Sequence, residues 1–306
     1  MSAAWPDFDV TRDSPTVATL HLISQMPGKL RVADAPWVNH GWQAALHPVA
    51  SGLVTAPTAA GDGRSFTLAL DLSDHAIQLR VSDGASDRIA LADGLTIAGV
   101  HRDFVAMLDR HALPSDFHHS PSEIADAVPF ADDHAPRAYV PASAERLRDM
   151  LALIVPIFER FRAGFSGKAS PVHFWWGAFD LAVTRFSGRA APLHPGGIPG
   201  LPDRITREAY SHQVSSAGFW PGNAGIAADP IFYCYAYPEP VGFRDASVAH
   251  GRFDADLGEF VLPYADVRSA EDPARMLGEF LQSAYALAAD GADWDRAALE
   301  REPVPP

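Results

Sequence analysis

Two stretches of this chain set ionisable side chains among bulky aromatics. The first runs Ser170-Pro-Val-His-Phe-Trp-Trp-Gly-Ala-Phe-Asp180 and continues Thr184-Arg-Phe-Ser-Gly-Arg189. The second runs Glu208-Ala-Tyr-Ser-His212 and leads into a Gly218-Phe-Trp-Pro-Gly222 turn. Asp180 stands in a run with no other charge between Val172 and Thr184, and a carboxylate buried alone costs several kcal/mol unless it takes up a proton. Arg185 and Arg189 follow on the same segment, and a guanidinium fork matches a carboxylate bidentately. That pattern reads either as a structural ion pair or as a clamp for the carboxylate or phosphate of a substrate. His173 is either a satisfied core histidine or a pocket acid–base group. On a regular strand His173 and Asp180 point to opposite faces, so a direct pair needs a bulge at Gly177.

His212 falls in a loop, where functional side chains concentrate. Glu259 heads Glu-Phe-Val-Leu-Pro-Tyr264 and is either the solvated end of a strand or a base at the mouth of a sheet. His40, in Asn39-His-Gly-Trp42, reads as a strand-end histidine bonded to backbone. The candidate set is therefore His173, His212, Asp180 and Glu259 for acid–base chemistry. Arg185, Arg189, Trp175, Trp220 and Tyr264 are the candidates for substrate binding. No Gly-x-Ser-x-Gly elbow exposes a serine nucleophile. No glycine-rich loop follows a strand and opens a helix, so no nucleotide cofactor is assigned. No metal site is assigned either: the histidines form no His-x-His or His-Glu-x-x-His, and only a set assembled from His173, His212 and Glu259 stays open.

The bulk properties narrow the class. A net charge of −14 without a basic cluster speaks against nucleic acid and anionic membrane surfaces as partners. Cys234 is the only cysteine, which suits a reducing compartment. The first residues lack the basic start and apolar stretch of a secretory signal. The longest apolar run, from Met150 to Phe158, is far below the roughly 20 residues of a membrane span. A soluble, cytoplasmic protein is expected.

The elements that must position these residues are legible from periodicity and breakers. Ser14-Pro15 looks like a helix start, and Pro27-Gly28 its end. Asn39 to Thr55 favours strand with a bulge at Gly52. Ser65–Leu72 and Ala76–Ser82 alternate as a hairpin, and Arg88–Leu91 adds a short strand. A helix carries Val100, Phe104, Leu108 and His111 on one face. Residues 114–141 read as an irregular connector with one short strand. Ser143 caps a helix with Leu147, Met150, Leu151, Ile154, Phe158 and Phe161 inward, kinked at Pro156. Val172 to Val183 reads as one central strand covered on both faces. A long loop spans Ala190 to Asp203, strands follow at Ile231–Tyr237 and Glu259–Leu262, and Asp272-Pro273 opens a last helix closed by Gly291. The tail ending Pro303-Val-Pro-Pro306 is expected to fray.

The fold class expected is α+β, as two similar α/β layers around a central pocket. Residues 1–113 form one half, 114–142 connect, and 143–306 form the half carrying the candidate site, unless all make one continuous domain. The repeated order of helix, strands and helix suggests an internal duplication.

Several stretches resemble an uncharacterised bacterial family, domain of unknown function 5996. They are Gly28-Lys-Leu-Arg31, Asn39-His-Gly-Trp42, Gly167-Lys-Ala-Ser-Pro-Val-His173, Phe179-Asp-Leu-Ala182, Arg185-Phe-Ser-Gly-Arg-Ala-Ala-Pro192, Ala209-Tyr-Ser-His212, Gly218-Phe-Trp-Pro-Gly222, Tyr235-Ala-Tyr-Pro-Glu-Pro240 and Glu259 to Tyr264. The resemblance covers nearly the whole chain. The family pattern carries a second tryptophan where this chain has Gly41, and a glutamate at Gln213, where glutamine supplies neither a base nor a charged ligand. It brings no activity with it. The leading expectation is an enzyme acting on a small anionic molecule. The alternatives are a non-catalytic small-molecule binder, or a structural or partner-binding protein with buried ion pairs.

Overall fold

A computed structural model of the chain describes residues 4–124, 126–198, 200–222 and 227–301; the proline-rich tail expected to fray lies outside them. The fold is α+β, and one antiparallel sheet runs through both halves. The first half supplies α1 (Val10–Asp34), β1 (Leu46–Val49), β2 (Gly52–Thr55), β3 (Thr58–Ala59), β4 (Ser65–Asp71), β5 (Ala76–Val81), β6 (Ser86–Ala90) and α2 (Ile97–Arg110). After an irregular segment come α3 (Pro141–Ala163), β7 (His173–Trp175), β8 (Asp180–Ala190), α4 (Asp203–Ala209), β9 (His212–Trp220) and β10 (Ile231–Tyr237). The chain closes with β11 (Arg252–Asp254), β12 (Glu259–Pro263), α5 (Tyr264–Ser269), α6 (Pro273–Gly291) and α7 (Arg296–Leu299). The strand order is β11-β12-β10-β9-β8-β7-β1-β2-β4-β5-β6, with β3 on β4. The halves meet where β1 pairs antiparallel with β7 at Leu46 and Phe174.

Several boundaries differ from the sequence expectation, each for a local reason. Helix α1 begins at Asp9, whose side chain caps the Arg12 N–H, and it runs through both Pro15 and Pro27. A proline inside a helix normally costs about 3 kcal/mol; here tertiary burial outweighs it, since α1 is enclosed over most of its length. Asp13 is fully buried and held by Arg12, Arg146 and the Ser143 hydroxyl. Ser143 therefore does not cap α3; it ties that helix to α1. Gly28 does not end α1 either. It lets the Trp176 ring press on the helix, because a Cβ there would fall 2.2 Å from the indole.

Asn39 to Thr55 is not one strand. A 3-10 turn at Asn39–Ala44 precedes the β1–β2 hairpin, and Gly52, at φ 149°, begins β2 rather than bulging from it. Among its described residues the connector holds a single bridge, Leu95 to Arg137, in place of a strand. The run Val172 to Val183 is a hairpin, with the chain reversing over residues 176–179. Its two-sided burial, rather than its length, explains the unbroken apolar pattern.

The long helices cover one face of the sheet. There Phe174, Leu181, Val183, Phe219 and Phe232 are fully enclosed, and Phe232 lies 6.5 Å from Phe158 of α3, ring to ring. The opposite face carries the polar groups.

Candidate functional site

Directly paired residues of an antiparallel sheet share a face. Trp175 lies opposite Asp180 and His173 opposite Ala182. Ala182 pairs with Gly218 and Thr184 with Ser216; Gly218 then pairs with Tyr233 and Ser216 with Tyr235. The same alternation brings in Trp220 and Glu259, since Val261, two residues beyond Glu259, pairs with Tyr233. His173, Trp175, Asp180, Trp220 and Glu259 thus stand on one face, with a row of hydroxyl groups between them. The expectation that His173 and Asp180 point apart is corrected: the chain turns back between them, which restores a common side.

Glycine 218 makes the interior of this row. A Cβ there would sit 2.0 Å from the Tyr233 ring, so only glycine lets that ring cross β9. The phenol then donates a hydrogen bond to Asp180 Oδ2 on β8. Asp180 Oδ1, His173 Nε2, Trp220 Nε1 and Glu259 Oε2 are enclosed and find no partner among the described residues. Burial pushes Asp180 up to about 7, with Tyr233 pulling the other way and Glu123 adding to the rise. Burial, then the charges of Asp180 and Asp254, push Glu259 up to about 8. Two carboxyls that hold protons near neutrality give no full counter-charge there. Burial drives His173 down to about 4. Its ring is neutral, with Nδ1 2.7 Å from the Pro171 carbonyl, so Nδ1 carries the proton and Nε2 is left as an acceptor. Glu123, whose charge acts on Asp180, also acts on Lys29, which donates to Ser122 Oγ at 2.7 Å and lies 5.4 Å over Trp176. Burial brings Lys29 down to about 8 and Glu123 up to about 7.

Farther along, the row continues through Tyr235, whose hydroxyl accepts from Tyr210 at 3.0 Å. Beyond Thr184 it reaches the buried Phe186, over which the exposed Lys168 lies. Here the Lys168 ammonium lies 2.6 Å from His40 Nε2, 5.0 Å over the Phe186 ring and 5.4 Å over Trp42. The other ring nitrogen of His40 faces the carbonyls of Glu208 and Ala209 at 3.2 and 3.3 Å. These two contacts fix the tautomer: Nδ1–H donates to backbone, and Nε2 accepts from the lysine. His40 adopts φ 62°, a left-handed backbone rare outside glycine, and the Glu208 carboxylate accepts its backbone N–H at 3.2 Å. Burial, followed by the neighbouring ammonium, lowers the His40 pKa; burial lowers that of Lys168 against the pull of Glu208.

The remaining candidates separate from this face. Arg185 has the opposite parity to Asp180 and is buried under the helices, so the Asp180–Arg185 pair does not form. Arg189 is exposed and donates to the Ala292 carbonyl. Tyr264 is a core residue whose hydroxyl binds the Pro6 carbonyl. His212 opens β9 instead of lying in a loop, and its ring meets His40 edge-on at 5.9 Å. Trp220 ends β9, so Gly218-Phe-Trp is strand rather than turn. No group of three or more His, Cys, Asp or Glu suited to a metal ion occurs among the described residues. None of their helices is long and apolar enough to cross a membrane.

Sequence reasoning missed Lys168, the acceptor role of His40, and the tyrosine row. One signal was available: of 24 basic Lys and Arg residues only Lys29 and Lys168 are lysine. Both lie against a tryptophan with a lowered pKa. Lysine, unlike arginine, can lose its proton when desolvated.

Comparison with known proteins finds no similar curated protein and no similar solved structure. A family model does match, over residues 5–301, and its description is a family of unknown function. By that match across nearly its whole length, the chain belongs to the DUF5996 family.

Proposed function

We propose that the protein is an enzyme acting on a small anionic molecule at the half-open end of the polar sheet face, with Lys168 and His40 as a proton-sharing pair. The observation that carries this reading is the 2.6 Å contact between Lys168 Nζ and His40 Nε2. It is held between two aromatic rings and built on a strained backbone, a combination that concentrates at functional sites. The ammonium gives an anion its counter-charge. When His40 Nε2 takes the proton from Lys168, the free amine can in turn accept one from a substrate carbon or oxygen acid; the ammonium then hands that proton to the product, and the imidazolium returns its own to the amine. His212 lies beside the pair. Asp180, accepting from Tyr233, and the enclosed Glu259 lie on the face behind it. Asp180 and Tyr233 are fully enclosed, which favours a positioning role for them.

The test is a pooled-metabolite incubation read by mass spectrometry, run beside a thermal-shift screen, with the whole chain and with Lys168→Met. Methionine keeps the apolar stem between Trp42 and Phe186 and removes the ammonium. Conversion present in the parent and lost in a stably folded variant supports the assignment. Conversion retained by the variant refutes it. Ligand-induced stabilisation without turnover would turn the assignment into that of a binding protein.

A further inference from the structure

We infer that the helix face carries a second site, a cleft for a small oligoanion in which Arg185 forms the floor. An open cleft of about 970 Å³ lies between α3 and α6, bounded by α7. Five guanidinium groups line it, those of Arg160, Arg185, Arg275, Arg296 and Arg301, against only two carboxylates, Asp272 and Glu300. In a chain of net charge −14 this is a local reversal of sign, and a concave one, where field lines focus.

The floor residue gives the second, independent observation. Arg185 is 1% exposed. Its Nη2 donates to the Phe161 carbonyl at the end of α3, and its Nη1 lies 3.3 Å from Gln282 Oε1. The guanidinium carbon lies 3.5 Å from the Phe161 ring centroid, 4.3 Å from Tyr285 and 5.2 Å from Phe165. Capping α3 and stacking on rings account for part of the charge. Its Nε finds no acceptor among the described residues, and it makes no ion pair among them. Glu300 acts on it only from a distance and is itself paired with Arg296, and a desolvated cation without a direct ion pair is costly in a protein interior. An anion in the cleft would supply the missing charge.

The rim decides the size and charge of the ligand. Arg296 is already engaged by Asp290 and Glu300, and Asp272 caps α6 through the Arg275 N–H. Arg160 and Arg275 are exposed, and Arg275 meets only Glu279, at 3.6 Å. The lining alone carries an excess of three positive charges, which Asp290 and Glu279 behind the rim reduce, so the cleft matches an anion of one to three charges. The volume lies at the upper end of small-ligand sites, which run to about 1,000 Å³, far more than one inorganic phosphate needs. The ligand class is therefore an organic molecule bearing phosphate or carboxylate groups, bound through guanidinium forks. This site is separate from the Lys168–His40 pair and does not depend on it.

The experiment is calorimetric titration of the full chain with inorganic tripolyphosphate and, in a second arm, with citrate. The parent should bind at least one of them saturably at a single site, and the arm that binds more tightly identifies phosphate or carboxylate as the group read. The exposed double variant Arg160→Glu/Arg275→Glu should weaken binding at least about tenfold with an unchanged melting temperature, which avoids mutating the buried Arg185. Arg102→Glu, on the exposed face of α2, should leave it unchanged. Absence of saturable binding in both arms overturns the inference. So does equal weakening by Arg102→Glu, which would mean that any surface arginine serves.

Discussion

Replacing Asp180 by asparagine should flatten the fall of stability with rising pH. In the folded protein burial holds this carboxyl at about 7, against an ordinary value of 3.8. Between those values the native state keeps a proton that the unfolded chain has released. Stability must therefore decline as pH rises through that window, and the decline is complete above the folded value. The full displacement amounts to about 4 kcal/mol, of which about 3 kcal/mol falls between roughly pH 5 and pH 8. Asparagine keeps the acceptor for the Tyr233 hydroxyl but adds N–H donors where Oδ1 has no partner. That adds a fixed penalty of about 1–3 kcal/mol, independent of pH. The readout is thus the slope of the difference, not its absolute value. His173 and Lys29 titrate in the opposite sense, since their lowered values make stability rise with pH, but they are common to both proteins and cancel. Glu259, relieved of the Asp180 charge, shifts the variant in the same direction. Urea unfolding followed by circular dichroism across that pH range measures the two curves. Parallel curves would refute the claim that Asp180 is a protonated, enclosed carboxyl.

Two further outcomes follow from the same face. Competitive acylation of the amines, read by peptide mass spectrometry, should show Lys29 half-reactive near pH 8 and Lys168 titrating below the ordinary lysine value; an ordinary value for both would remove the lysine argument. Gly218→Ala should cost about 1–3 kcal/mol, because its methyl falls 2.0 Å from the Tyr233 ring, and it should break the Tyr233–Asp180 bond. An alanine variant with parental stability would show that the ring does not cross β9 there.

How much of this was readable in the residues depended on the range of the signal. Helices with an apolar stripe and a capping residue, such as α6 behind Asp272, follow from local chemistry. So do strands bounded by turn residues, such as β4, β5 and β10. Helix α1 does not, because its prolines argue locally for a break and are overruled by burial of Asp13 and Lys29, to which distant segments contribute. The β7–β8 hairpin was hidden for a related reason. A four-residue reversal through Trp176-Gly-Ala-Phe179 lacks the usual polar turn residues. Its aromatic members are there to pack on α1, where Trp176 meets Gly28 and Phe179 stacks with His21 at 5.2 Å.

The same reversal explains why only part of the candidate set gathers on one face, and in pairings other than those expected. Parity along one continuous strand put His173 with Arg185 and apart from Asp180. The hairpin swaps that relation, so the carboxyl joins the histidine on the polar face and the guanidinium goes under the helices. Arginine and lysine are then segregated by chemistry. Arginine, which keeps its charge, lines the helix-face cleft and much of the exposed surface, with Arg31 buried where backbone carbonyls and Thr58 satisfy it. The two lysines both lie beside tryptophan, Lys29 buried and Lys168 exposed but partly desolvated, and both have lowered pKa values. A reaction that moves protons needs the second kind of cation and a recognition cleft needs the first. Exchanging Lys168 for arginine would therefore keep the charge over Phe186 and Trp42 yet abolish proton exchange with His40, which is the sharpest distinction between a catalytic and a merely electrostatic role for that position.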